Sequence, residues 1–265
     1  MPRIFFALLL ALTTTRPVQA AAFDHDPWSD LLQRHVRVLR AGQATQVDYA
    51  GMAHDHAELT KYLAATSAVS RAEFDRWVPA DQLAFLVNAY NAWTVQLVLQ
   101  GYPKIASIRD LGSLLQSPWK KRFVPLLGET RSLDDIEHSL IRGSGRYREP
   151  RAHFALNCAS VGCPALRPEA YVGARLDAQL ESAAIQFLSD RSRNRYAGDK
   201  LEVSSIFKWY REDFEAGWRG AKSLGAFLAL YGDVLGLAAP QRQKLVQGEL
   251  AIEFLEYDWK LNRTP

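Results

Sequence analysis

DQLAFLVNAYNAWTVQLVL, residues 81–99, is the stretch on which the architecture turns. Leu83, Phe85, Leu86, Trp93 and Leu97 recur at helical intervals, and Pro79 ahead of them suits a first helical turn. Gly101 and Pro103 then stop it, so the pattern predicts the longest helix of the chain over residues 79–100. Asn88 and Asn91, three apart, fall on one face of this apolar helix. Buried amides must find partners, so the pair is expected either to cross-link parts of the fold or to orient another group, with His153 or the loop after it as the target.

Working outward, DPWSDLLQRHVRVLR (26–40) and MAHDHAELTKYLAA (52–65) also read as helices. Strands enter later. KRFVPLLGETRSL (121–133) alternates around a Gly-Glu turn, Ser132 can cap a helix over 133–143, and RAHFALNC (151–158) reads as a strand. A helix follows over 172–190, then a hairpin over 195–206 with Gly198-Asp199 at its turn. Helical 223–232 and 240–247 and the strand-like 251–262 complete the chain. The expected fold is α+β, mainly helical, with a small antiparallel sheet in the second half. Neither G-x-G-x-x-G nor G-x-x-x-x-G-K-[ST] occurs, which argues against nucleotide binding through those loops.

The start of the chain, MPRIFFALLLALTTTRPVQA, has a positive residue, a short apolar run and a small-residue cleavage signal, and residues 1–20 are read as a secretory signal peptide. Periplasmic or secreted localisation is the corresponding expectation, with residues 21–265 as a single globular domain. No later stretch is apolar enough to span a bilayer. Without Arg3 and Arg16, 30 basic residues face 29 acidic ones, a balance that predicts no nucleic-acid partner. The partner left to expect is a small molecule or a peptide.

Both cysteines lie in HFALNCASVGCPAL (153–166). On a regular strand His153 and Cys158 face opposite ways, so a Cys–His couple requires the backbone to break near Asn157, which NCASVG favours. Such a turn could also aim backbone N–H groups at an oxyanion. Three readings stay open: Cys158 as a nucleophile with Asn157 or Ser160 in support, a disulfide between Cys158 and Cys163, structural or redox, or an inert or metal-bound thiol. The spacing matches no known zinc finger, and HDH at His54–His56 cannot share a helix face, so no metal or cofactor is expected. In LDDIEH, Glu137 lies on the apolar side near Leu140 and Ile141, while Asp134 is the natural i,i+4 partner of His138. A Lys208, Asp213 or Asp258 tucked among the aromatic residues of FKWYREDF and YDWKLN would have to be paired.

NAYNAW, LDDIEH, RAHFALNCASVGCPAL, FKWYREDF and YDWKLN, in that order across residues 75–262, resemble the domain of unknown function 547 family. The resemblance implies that Asn88, Asn91, Glu137, His138, His153, Asn157, Cys158, Ser160 and Cys163 occupy signature positions, and that the protein is exported; it implies no particular activity. The functional expectation is thiol-dependent hydrolysis or acyl transfer, with Cys158 as nucleophile, His153 or His138 as base, and Glu137 or Asn157 as orienter. Its counterpart is a non-catalytic periplasmic binding or assembly protein in which Cys158 and Cys163 form a disulfide that pins a recognition loop.

Overall fold

A computed structural model describes residues 23–113 and 115–265 of the chain. The signal-peptide reading of residues 1–20 lies outside the described residues. The element order is α1 (Asp26–His35), β1 (Val36–Leu39), β2 (Ala44–Val47), α2 (Tyr49–His54), α3 (His56–Ala68), α4 (Arg71–Phe74), α5 (Pro79–Leu99), β3 (Val124–Leu126) and β4 (Glu129–Arg131). A π-helix (Asp135–Arg142) and a 3-10 turn (Pro150–Phe154) follow. The chain continues with α6 (Leu176–Ser189), β5 (Arg195–Ala197), β6 (Lys200–Ser204), α7 (Ile206–Trp209), α8 (Arg211–Phe214), α9 (Leu224–Leu230), α10 (Ala239–Gln247) and β7 (Ala251–Leu255). The fold is α+β and mainly helical.

Helix α5 forms where its periodicity places it, and it is buried on nearly every side, as an all-round apolar helix must be. It is the spine of one apolar cluster, which gathers α1, α3, the β3–β4 hairpin and Ile136 and Ile141 of the π-helix. A second cluster packs Phe187 of α6, Val203 of β6, Phe207, Phe214 and Phe227 into one aromatic core. Each fully buried Leu or Phe contributes about 1.5–3 kcal/mol.

Several expectations are corrected. Strands begin before the second half: Val36–Leu39 pairs antiparallel with Ala44–Val47, because VRVL alternates with period two as well as it fits a helix, and pairing partners decide. The strands make three small sheets, and β6–β7 is parallel. The β3–β4 turn lies at Leu127-Gly128, both at positive φ (56° and 82°), one residue earlier than expected. Residues 151–158 are not a strand. Pro150 lacks the N–H a ladder needs, Glu149 accepts a hydrogen bond from the Arg151 amide at 3.1 Å, and a 3-10 turn starts there instead. Arg151 secures it with a buried guanidinium fanned among Glu149, Asp177 and Glu181 at 2.6–2.7 Å.

That turn and the coil after it are buried, so their backbone groups need partners, and the asparagines of α5 provide them. Asn91 donates to Ala155 O at 2.9 Å and accepts from Asn157 N at 2.8 Å. Asn88 donates to Tyr171 O at 2.7 Å and accepts from Tyr171 N at 2.9 Å. Each amide thus imitates one rung of a sheet. Asn157 continues the chain, donating to Pro164 O at 2.7 Å and accepting from Ala159 N at 3.0 Å.

Two predictions follow from these contacts. Asn91→Leu leaves a buried carbonyl and a buried amide unpaired, so it should lower unfolding free energy by roughly 2–5 kcal/mol in urea titration. His25 is buried beside Tyr62, 2.8 Å from its hydroxyl, and desolvation lowers its pKa from the usual 6.5 to about 4. The unfolded chain binds that proton more readily, so stability should be complete above pH 6.5 and fall by about 3 kcal/mol as pH drops through this window towards 4. Chemical denaturation across this range should show the slope, and a His25→Phe, Tyr62→Phe double variant should flatten it.

Candidate functional site

Where the two apolar clusters meet, a cleft of about 450 Å³ opens, lined by residues of both. The π-helix brings Asp134, Glu137 and His138 to it, the buried coil brings His153, Leu156, Cys158 and Cys163, and α7 with the residue after it brings Trp209 and Tyr210. Trp119, Tyr257 and Trp259 form much of the remaining wall. Ser132 opens the π-helix as expected: its hydroxyl accepts from Asp135 N and the Asp135 carboxylate accepts from Ser132 N, both at 2.9 Å. The i→i+5 bond from Gly143 N to His138 O, 2.8 Å, closes it in the wider winding.

The cleft is electrically organised around Asp213. His153 donates through Nε2 to Asp213 Oδ2 at 2.7 Å, and Arg142 binds the same carboxylate through two nitrogens. Burial opposes the charge, but the hydrogen bonds from His153 and Arg142 outweigh it and hold the Asp213 carboxyl well below the usual carboxylate range. Arg142 also donates to His138 Nδ1 at 2.6 Å, which leaves the ring proton on Nε2, 3.5 Å from Asp134. The i,i+4 partnership of Asp134 and His138 is present. The Tyr210 ring stacks on His153 at 4.0 Å, and Arg142 lies 5.1 Å from its centroid. Glu137 is buried, and burial followed by the charge of Glu137 pushes the Tyr90 and Tyr210 phenols far above their ordinary value.

Cys158 and Cys163 form a disulfide with Cα atoms 6.0 Å apart. Cys158 is partly exposed to the cleft, whereas Cys163 is buried. A nucleophilic Cys158 has no thiolate in this state, since the sulfur is spent in the bond. The oxyanion expectation also loses six of the loop's amide donors. The amides of Asn157, Cys158, Ala159, Val161, Gly162 and Cys163 are committed to Asn91, Cys163 Sγ, Asn157, Lys260, Asp258 and Ser160. The loop is strained at Ala159, whose φ is +62°. Above it, the Tyr257 hydroxyl sits 3.1 Å from each sulfur, with its pKa raised by burial. Gly162 permits this approach, because a Cβ there would meet the Tyr257 ring at 3.0 Å.

Glu137, His138, His153, Cys158 and Cys163 therefore share one cleft, while Asn88, Asn91, Asn157 and Ser160 stand behind it and hold its backbone. Asp213 is the tucked, paired charge of the aromatic clusters; Lys208 and Asp258 are exposed. Tyr90, Arg142, Tyr210 and Tyr257 were not singled out from the sequence. Tyr210 and Asp213, three apart in a helical pattern, carried the one signal that could have marked them together. Among the described residues, no cluster of three His, Cys, Asp or Glu side chains is arranged to hold a metal ion, and no helix is long and apolar enough to cross a membrane.

Residues 74–188 match the model of the family described as protein of unknown function, DUF547. The matched region covers α5, the π-helix and the disulfide loop, and ends within α6. FKWYREDF and YDWKLN lie beyond it, yet they give the cleft wall Tyr210 and Tyr257 and give His153 its partner Asp213. No curated protein and no solved structure matches the chain.

Asp213→Asn removes the charge that Arg142 and His153 share. It should cost about 1–3 kcal/mol at neutral pH by urea denaturation. The folded-state pKa of Asp213 is depressed, so its contribution is present above the unfolded value near 3.9 and is lost as pH falls; the variant should show a shallower acid limb below about pH 4.

Proposed function

We propose that this protein is an exported, non-catalytic binding protein whose aromatic-walled cleft takes a small molecule or a peptide, with the Cys158–Cys163 disulfide pinning the recognition loop. The observation that carries this reading is the disulfide itself, which occupies both thiols and forms part of the cleft wall beside Trp209, Tyr257 and Trp259. These rings pack on one another with centroids 4.5–5.7 Å apart, and Trp209 is 46% exposed. A half-exposed aromatic platform is suited to stacking, while His138 at the rim and Glu137 within offer polar contacts that fix orientation.

A second reading is a thiol-dependent hydrolase or acyltransferase. It is supported by Cys158, His138, His153 and Glu137 lining the same space, and it requires the disulfide to be open first.

The test is a screen of defined peptides and small molecules by quenching of tryptophan emission on the oxidised protein. Ligands found this way should bind at least about tenfold more weakly to Trp209→Ala, the loss expected for one stacking ring. Equal affinity for wild type and Trp209→Ala would rule out the cleft as the binding site. Thioester turnover that appears only under dithiothreitol and vanishes in Cys158→Ala would replace this reading with the enzymatic one.

A further inference from the structure

The two sulfurs of the disulfide differ in ways that a staple does not require. Cys158 faces the cleft and is partly exposed, so an incoming group can reach it along the aromatic wall; Cys163 is 4% exposed. One donor is particular to the buried partner: the Cys158 amide donates to Cys163 Sγ at 2.8 Å. The Tyr257 hydroxyl, 3.1 Å from both sulfurs, stands ready to donate to whichever carries charge. Arg193, buried and paired with Asp190 at 2.8 Å, donates to the Cys163 carbonyl. A neutral disulfide sulfur is a weak acceptor, whereas a thiolate is a strong one, so this set of donors is worth most when Cys163 carries negative charge.

We infer that Cys158–Cys163 is an exchange-active disulfide, with Cys158 the sulfur attacked by the thiolate of a cysteine-bearing peptide in the cleft and Cys163 the leaving thiolate. The inference rests on the cleft reading above and names the chemistry of its occupant. In the first step the peptide thiolate forms a bond to Cys158 Sγ, the Cys158–Cys163 bond breaks, and its electron pair goes to Cys163 Sγ, where the amide and the phenol receive it. In the second step another peptide thiolate attacks the peptide sulfur of the mixed disulfide and releases Cys158 as thiolate. The peptide leaves with a disulfide, the protein keeps two thiols, and the two protons given up by the peptide balance those the protein gains. Rates in such exchange rise as the leaving thiol becomes a better anion, which is the property the donors confer on Cys163.

The experiment exposes the oxidised, folded protein to millimolar reduced glutathione, quenches in acid, alkylates, and maps both cysteines by mass spectrometry. The expected product carries glutathione on Cys158 and the alkyl label on Cys163, and Cys163→Ser, given oxidised glutathione as the partner in exchange, should accumulate a stable adduct on Cys158. Tyr257→Phe removes only a hydroxyl; at a fixed glutathione ratio its dithiol form should be disfavoured by about tenfold, the size of one hydrogen bond to a charged group. The inference is overturned if glutathione opens the bond only in unfolded protein, if the adduct sits on Cys163, or if Tyr257→Phe leaves the ratio unchanged. S-methylglutathione, which has no thiol, separates the two readings. Tryptophan quenching by it without exchange by glutathione retains the binding cleft and removes the exchange, whereas exchange without quenching removes the cleft as a peptide site.

Discussion

The amide of Asn91 is the contact on which the arrangement of this protein depends. A buried coil without strand or helix around it cannot leave its N–H and C=O groups unpaired, since each would cost about as much as a lost hydrogen bond. Asn91 answers both groups of residues 155 and 157 at once, and Asn88, one helical turn earlier, does the same for Tyr171. Helix α5 thereby acts as the neighbouring strand that the coil lacks. Its apolar faces bury the core, and its one polar stripe fixes where the cysteine loop runs.

From that anchor the polar order spreads by shared partners. Asn157 ties the loop back onto itself, and Asn262, which accepts from the Tyr49 hydroxyl at 2.8 Å, brings the C-terminal segment to it through a bond to Ala159 O at 3.1 Å. The same segment carries Tyr257 to the sulfurs. On the opposite wall, Asp134, His138, Arg142, Asp213 and His153 follow one another along one chain of contacts. Such a chain holds two imidazoles at defined angles without either needing a metal ion, and the Tyr210 ring between Glu137 and His153 joins it to the cleft.

The disulfide loop joins these two systems. Asparagines hold its backbone and six of its amides are committed, which directs attention to the sulfurs and the aromatic surface beside them. The left-handed Ala159 shows the loop held in a conformation that an isolated peptide would avoid.

Much of this was legible in residue pattern. Periodicity located α5, Pro and Gly marked its ends, and spacing paired His138 with Asp134, because a helix is a local object whose geometry follows from its own residues. The sequence also singled out Glu137, His138, His153, Cys158 and Cys163, which the fold brings to one cleft. Residues 151–158 misled: their alternation resembles a strand, but no strand among the described residues pairs with them, and the one Asn91 side chain, 64 and 66 residues from Ala155 and Asn157, pairs the backbone instead. Asp213 and Tyr257, 60 residues from His153 and 94 from Cys163, could not be assigned from local spacing either. The sequence by itself determined the helical spine, the α+β class and the reactive residue types; only the tertiary structure decided which carboxylate faces which imidazole and which phenol caps the sulfurs, since those contacts arise from long-range closure of the chain and carry no period along it.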